Sequence, residues 1–239
     1  MTESSPFARA VRDAHEGDLD APLVARDGAQ TNEHPIEAYY FDSPEQDVIE
    51  WLASWLDGPL ADLGAGAGRH TLYFQERFET VAVERDHALV ETMRARGVET
   101  AVEADMFSLQ ATFDRDRFRS ALVWGTQLGL ARSMVGVRRF LDELATVTRP
   151  NATAIVDSYD PEREATAELL GYRSDPTPEL GFRVLTFEYG SDVGRPLLFR
   201  LFAPDALASV AEDAGWTVED VRYDGSTEPH YAAALVKHR

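Results

Sequence analysis

Apolar positions recur at helical spacing through Val48, Ile49, Trp51, Leu52, Trp55 and Leu56, so one face of this segment is built to lie against a core. Ser43 as N-cap, Pro44 at the first helical position and Gln46 closing a capping box predict the start of that helix, and Gly58-Pro59 its end. Short apolar runs at 60–63, 80–84, 99–103, 120–124 and 153–158 then alternate with helical patterns: one through about Arg77, one over 86–96 closed by Gly97, and one over 135–148. This alternation predicts an α/β fold, a mostly parallel sheet between two layers of helices. The turn Arg149-Pro150-Asn151 leads into the fifth strand, with asparagine suited to a left-handed backbone.

The pattern changes after Asp160. Residues 161–170 read as helical, whereas 182–189 and 197–202 read as strands separated by Gly190, Gly194 and Pro196, which predicts an inserted β-hairpin of the kind that covers a site. A helix over 204–214 capped by Gly215 follows, then strands at 217–223 and 231–237, too close together for a crossover and so an antiparallel pair. Upstream, residues 1–36 are polar and weakly periodic, with Pro6, Pro22 and Pro35, and read as a loosely ordered lead-in. Tyr39, Tyr40 and Phe41 can form a lid over a ligand or pack on the core, packing being the favoured reading. The expected division is a lead-in and possible lid over 1–43 and one domain over 44–239, with 161–203 as an inserted covering segment.

Composition narrows the chemistry. With 239 residues and 44% hydrophobic content the chain can bury a three-layer core. No apolar run approaches membrane-spanning length and no charged-then-apolar leader opens the chain, so a soluble, cytoplasmic protein is expected. Cysteine is absent and the six histidines are scattered, which excludes disulfides, thiolate chemistry and a recognisable metal site. A net charge of -19 argues against nucleic acid as a partner. Only one of the 23 basic residues is lysine, Lys237, and the 42 acidic residues are spread along the chain, which resembles proteins of extreme halophiles.

The stretch Leu60-Ala61-Asp62-Leu63-Gly64-Ala65-Gly66-Ala67-Gly68-Arg69-His70 reads as a buried strand, a glycine-rich turn and a helix start. A dinucleotide fingerprint requires G-x-G-x-x-G, yet here the third glycine is Gly68 and Arg69 fills the slot reserved for close helix packing; this argues against an NAD-dependent oxidoreductase. Asp62 would face a ligand bearing an ammonium or sulfonium more comfortably than phosphates. Glu84, 22 residues later at a strand end, can accept from both hydroxyls of a ribose or stand as a solvated charge.

The run Asp62-Leu63-Gly64-Ala65-Gly66-Ala67-Gly68 resembles motif I of the class I S-adenosylmethionine-dependent methyltransferases, and the resemblance covers roughly residues 44 to 238. It implies a three-layer, Rossmann-like, seven-stranded and mostly parallel sheet ending in an antiparallel strand pair. It also implies S-adenosylmethionine as cofactor and S-adenosylhomocysteine as product. Cofactor contacts are then expected from Asp62, Gly64, Ala65, Gly66 and Gly68, from Glu84 and Arg85, from Asp105 and Met106, and from Trp124 and Gly125. Asp105 and Met106 would serve the adenine, although Asp105 can equally cap a helix and Met106 fill the core. Thr126 and Gln127 can bind cofactor or substrate or be plain turn residues, and the acidic or asparagine, double-proline and aromatic motif of base-modifying relatives is missing here. The acceptor crevice is expected over Tyr39, Tyr40, Thr126, Gln127 and Tyr159, with Gln127 and Tyr159 the candidates nearest the chemistry. In-line methyl transfer requires alignment above all, so no catalytic triad is sought; His70 reads as packing or capping and His230 as a weaker candidate base. The resulting expectation is methyl transfer to a small molecule. A non-catalytic protein sensing the cofactor or its product is the alternative, and an aminopropyl-transfer enzyme ranks lower.

Overall fold

The computed structural model describes residues 4–238. Ser5 accepts from the Ala8 N–H at 3.1 Å and caps α1 (Pro6–Glu16), which Gly17 closes at φ 80°. Strands β1 (Leu23–Asp27) and β2 (Gln30–Glu33) pair as a hairpin turning at Gly28-Ala29. The expectation of a loosely ordered lead-in is thus corrected: from Ser5 onward this segment carries a helix and two strands. Its pattern was weak for a physical reason, since α1 buries only Ala8, Ala10 and Val11 and β2 is exposed along its whole length.

One π-helical turn (Glu37–Phe41) precedes α2 (Gln46–Trp55). Ser43 does not cap α2; Glu45 stands at that position without a side-chain bond, and the Ser43 carbonyl accepts from Arg69 Nη2 at 3.0 Å instead. The alternating core follows as β3 (Leu60–Leu63), α3 (Arg69–Gln75), β4 (Thr80–Glu84), α4 (His87–Ala95), β5 (Ala101–Glu103), β6 (Phe118–Val123), α5 (Met134–Val147) and β7 (Thr148–Tyr159). Residues 161–170 hold only a 3-10 turn at Glu164–Glu168 in place of the expected helix. Thr166 is buried there and its hydroxyl donates to the Asp160 carbonyl, a local bond that competes with helical pairing. Strands β8 (Tyr172–Ser174), β9 (Leu180–Tyr189), β10 (Asp192–Val193) and β11 (Leu197–Phe202) come next, then α6 (Pro204–Asp213), β12 (Trp216–Tyr223) and β13 (His230–Lys237).

Seven strands form the central sheet in the order β12-β13-β7-β6-β3-β4-β5. Pairing is parallel from β7 through β5, while β13 runs antiparallel to both β7 and β12. Alternate residues serve the two faces: Leu60, Leu122 and Ile155 pack with Ile49 and Leu52 of α2, and Leu63, Val123 and Val156 pack with Phe140 and Leu144 of α5 and Leu207 of α6. Strand order reverses between β3 and β6, which opens a crevice at their C-terminal ends.

A second, six-stranded sheet is organised on β9, which pairs with β1, β8, β10 and β11. The N-terminal hairpin and the segment after β7 therefore share one sheet. The Tyr231 hydroxyl on β13 ties this sheet to the body by donating to the Phe202 carbonyl at 2.9 Å, and Ser5, which caps α1, donates through N and Oγ to Asp86 at the start of α4 (3.2 and 3.0 Å). Among the described residues no helix is long and apolar enough to cross a membrane.

Candidate functional site

The glycine loop between β3 and α3 bends through three left-handed positions, Gly64 (φ 72°), Gly66 (φ 59°) and Gly68 (φ 78°). Each glycine has its own neighbour. A Cβ on Gly68 would stand 2.7 Å from Val98 Cγ2, so this glycine lets α3 sit close to the chain leaving α4. A Cβ on Gly64 would stand 2.8 Å from Gln127 Cγ, and one on Gly66 3.3 Å from the Tyr40 ring. Ala65 is half-buried beside them, its N–H donating to the Val83 carbonyl at 3.2 Å.

Two arginines fasten the π-helical turn over this loop. Arg69 Nε donates to the Asp42 carbonyl at 2.8 Å, and Arg96 Nη1 donates to the carbonyls of Tyr40 and Ala67 at 2.9 and 2.5 Å. Tyr40 is thereby packed on Gly66, with its hydroxyl 3.2 Å from His34 Nε2, whereas Tyr39 is 54% exposed. In the sequence Arg69 stands out only as the residue that spoils a dinucleotide fingerprint; its carbonyl contacts are long-range and leave no local signal.

Glu84 ends β4 beside the loop and accepts from the backbone N–H groups of Arg85 (2.7 Å), Asp86 (3.2 Å) and Gly66 (3.3 Å). Burial pushes its carboxyl up from the ordinary value while those N–H bonds pull it down, and burial prevails. Arg85 contributes its backbone here, and its side chain is exposed. Asp62 is buried on β3 and accepts from the Thr71 hydroxyl at 2.5 Å; burial raises it to about 6 against that bond. Asp105 accepts from the Phe107 N–H at 2.9 Å and caps a 3-10 turn (Met106–Ala111), while Met106 is buried in the core face of the sheet. Both occupy the structural roles that the sequence left open for them.

Beyond β6, Trp124 contacts the His70 ring (centroids 5.6 Å apart) and the His230 ring (6.0 Å). His70 is buried and its burial, with Arg69 nearby, lowers it to about 3, so it is neutral and serves packing. The N–H groups of Gly125 and Thr126 both donate to the buried Asp157 carboxylate, at 2.9 and 2.7 Å. Gln127 lies with its side chain against Gly64 of the glycine loop. Tyr159, at the end of β7, meets the His230 ring edge at 5.4 Å and the Arg183 guanidinium at 5.5 Å.

Asp157, His230 and Asp224 form a grouping with little signal in the sequence. His230 Nε2 lies 2.9 Å from Asp157 and Nδ1 2.8 Å from Asp224, so both ring nitrogens face carboxylates. Burial lowers the imidazolium, but the two hydrogen-bonded carboxylates outweigh it and raise His230 to about 10. The ring is therefore a cation at neutral pH and has no free lone pair with which to act as a base. A signal did exist: an antiparallel strand beside the fifth strand brings its first residue to the fifth strand's C-terminal end, and His230 pairs with Tyr159 there.

No known protein-family profile matches the chain, and no curated protein does. Solved structures do resemble it. An S-adenosylmethionine-dependent methyltransferase from Bacteroides fragilis in complex with S-adenosyl-L-homocysteine superposes with TM-score 0.81 at 20% identity, over 100% of this chain and 97% of that one. The CcbJ methyltransferase from Streptomyces caelestis gives 0.65 at 14% identity, over 85% and 96% of the two chains. The glycopeptide N-methyltransferase MtfA, complexed with S-adenosylhomocysteine, gives 0.57 at 18%, over 83% and 90%. These likenesses establish the fold, an α/β Rossmann-like methyltransferase architecture with a mixed seven-stranded sheet.

Proposed function

We propose that the chain is an S-adenosylmethionine-dependent methyltransferase acting on a small-molecule acceptor. The observation that carries this reading is the position of Glu84: its carboxylate closes the glycine loop through the Gly66 N–H, at the strand end next to the reversal of strand order. There it can take the two hydroxyls of a ribose while Gly64 and Gly66 present bare backbone to the remainder of the ligand. The residues fit such a group, since both glycines hold left-handed backbone at which Gln127 and Tyr40 leave little room for a Cβ, and the Glu84 acceptor stands beside them. Bound there, the cofactor supplies an electrophilic methyl on a sulfonium.

The chain's own residues then position and shield. Asp62 and Glu84 stand as acceptors beside the loop, Glu84 bonded to the Gly66 N–H and Asp62 to the Thr71 hydroxyl. Asp157 fixes the loop at Gly125 and Thr126, and Trp124 walls the crevice. Tyr39, Tyr40, Thr126, Gln127 and Tyr159 border the space left for an acceptor, with Tyr159 the group we place nearest to it. Because His230 is already protonated, an acceptor that must lose a proton gives it to solvent or to another group.

Calorimetric titration tests the proposal. S-adenosylmethionine and S-adenosylhomocysteine should each bind at one site, and NAD should not; NAD binding without either of them would overturn the reading. Transfer of label from a radioactive methyl donor to any compound in a metabolite extract separates an enzyme from a sensor of the same ligands.

The acidic, lysine-poor composition also has a measurable consequence, for we read it as an adaptation to high salt in a soluble, cytoplasmic protein. Screening of like charges by molar potassium chloride should raise the melting temperature. A melting temperature that is flat or falls with added salt would refute that adaptation.

A further inference from the structure

Four arginines lie on strands of the second sheet, and three have carboxylate partners. Arg26 on β1 pairs with Glu188 at 2.6 Å, Arg173 on β8 with Asp27 at 2.8 Å, and Arg200 on β11 with Asp175 at 2.7 Å. Arg183 on β9 has none among the described residues. Its hydrogen bonding consists of Nε to the Leu170 carbonyl at 3.0 Å, which leaves the two terminal nitrogens uncommitted. Of the other half-buried arginines without carboxylates, Arg69 places both terminal nitrogens on backbone carbonyls and Arg96 places Nη1 on two of them. In a chain with 42 acidic residues against 23 basic ones, a withdrawn cation left unpaired stands out.

Its surroundings place it at the acceptor side of the crevice. The guanidinium carbon lies 5.5 Å from the centre of the Tyr159 ring, whose other neighbour is His230. Tyr39 and His34 are close enough to interact with the charge, and their rings stand 5.1 Å apart. Burial lowers His34 to about 4 with Arg183 adding to the effect, so His34 stays neutral, and the neighbouring His230 has both ring nitrogens committed to carboxylates, which leaves Arg183 as the cation with uncommitted donors on this wall. Phenols and a guanidinium on one wall offer donors, and a guanidinium presents two parallel N–H groups to a planar or tetrahedral oxyanion.

Resting on the methyltransferase reading, we propose that the methyl acceptor carries an oxyanion, a carboxylate or a phosphate, which Arg183 binds at the rim formed by Tyr159 and Tyr39. The anion would supply the partner that the fold withholds, and would fix one end of the acceptor while its reactive atom points towards the glycine loop.

The test uses the full chain saturated with S-adenosylhomocysteine and titrated in a calorimeter with benzoate, inorganic phosphate and benzamide at constant ionic strength. At least one of the two anions should bind with one-to-one stoichiometry, and which of them binds distinguishes carboxylate from phosphate acceptors. Neutral benzamide should bind at least tenfold more weakly than the preferred anion. Arg183→Gln should lose at least tenfold in anion affinity and Arg183→Lys should recover part of it, with S-adenosylhomocysteine affinity unchanged within about threefold. The proposal is overturned if wild type takes up neither anion, if benzamide matches benzoate, or if Arg183→Gln binds the anion as wild type does. The comparison of benzoate with benzamide needs no variant and so survives a folding defect. Failure of wild type to bind S-adenosylhomocysteine would instead remove the methyltransferase reading.

Discussion

Glu84→Ala is expected to weaken S-adenosylhomocysteine binding by roughly thirtyfold, on the order of 2 kcal/mol, because a charged acceptor shared by two ribose hydroxyls is lost. The same carboxylate holds the N–H groups of Gly66, Arg85 and Asp86, so the alanine variant also loosens the loop. Glu84→Gln separates the two effects, since it keeps an acceptor oxygen for the backbone but not the charge. A second variant approaches from the ligand side: Gly66→Val would put a branched side chain at φ 59°, beside the Tyr40 ring, and close the backbone approach. Titration calorimetry on folded variants decides the matter. Wild-type affinity in Glu84→Ala would remove the ribose assignment.

Loss of the His230 cation should have the larger effect on stability. His230→Ala leaves Asp157 buried with two backbone donors but no counter-charge, and breaking a buried pair in this way costs roughly 3–5 kcal/mol. For a chain of this length that corresponds to a fall in melting temperature of about 10 °C. The pH dependence carries a definite sign. Folding raises His230 from 6.5 to about 10, so the folded state binds the proton more tightly than the unfolded state does. Its stabilisation is complete below about pH 6.5, declines above that, and is gone once pH passes the folded value. Melting curves of wild type and His230→Ala should therefore lie far apart at pH 6 and converge by pH 10 to 11. A gap that persists unchanged at pH 11, or that is already absent at pH 6, would show that the ring is not held as a cation.

This placement also changes how the rim is understood. A histidine at the mouth of the proposed acceptor crevice invites a general-base role, yet carboxylates on both nitrogens make it a fixed positive centre instead. It joins the end of β7 to the turn before β13 and, through Asp157, to the loop after β6. Tyr159 stacks its edge against that centre and so has a defined position from which to meet an acceptor.

The sequence by itself determined the central sheet and the glycine cradle. Leu60, Leu122 and Ile155 announce buried strands through short apolar runs, and the left-handed φ values of Gly64, Gly66 and Gly68 depend on the absence of a Cβ, so both signals are local. The left-handed backbone of Asn151 is legible for the same reason, at φ 59°, but it falls on an irregularity inside β7 and not in a turn ahead of the strand. Only the tertiary structure decided the rest. β1 is a recognisable strand once Val24 is seen opposite Glu188 and Ala25 opposite Phe187, pairings that short-range periodicity cannot announce. Ser43 has the identity of a cap, but Arg69 claims its carbonyl across the fold. Asp157, Arg183 and His230 read in the chain as ordinary polar residues on strands or strand ends. Their roles follow from burial and from which charges stand opposite them, and both are set by contacts between segments far apart in sequence.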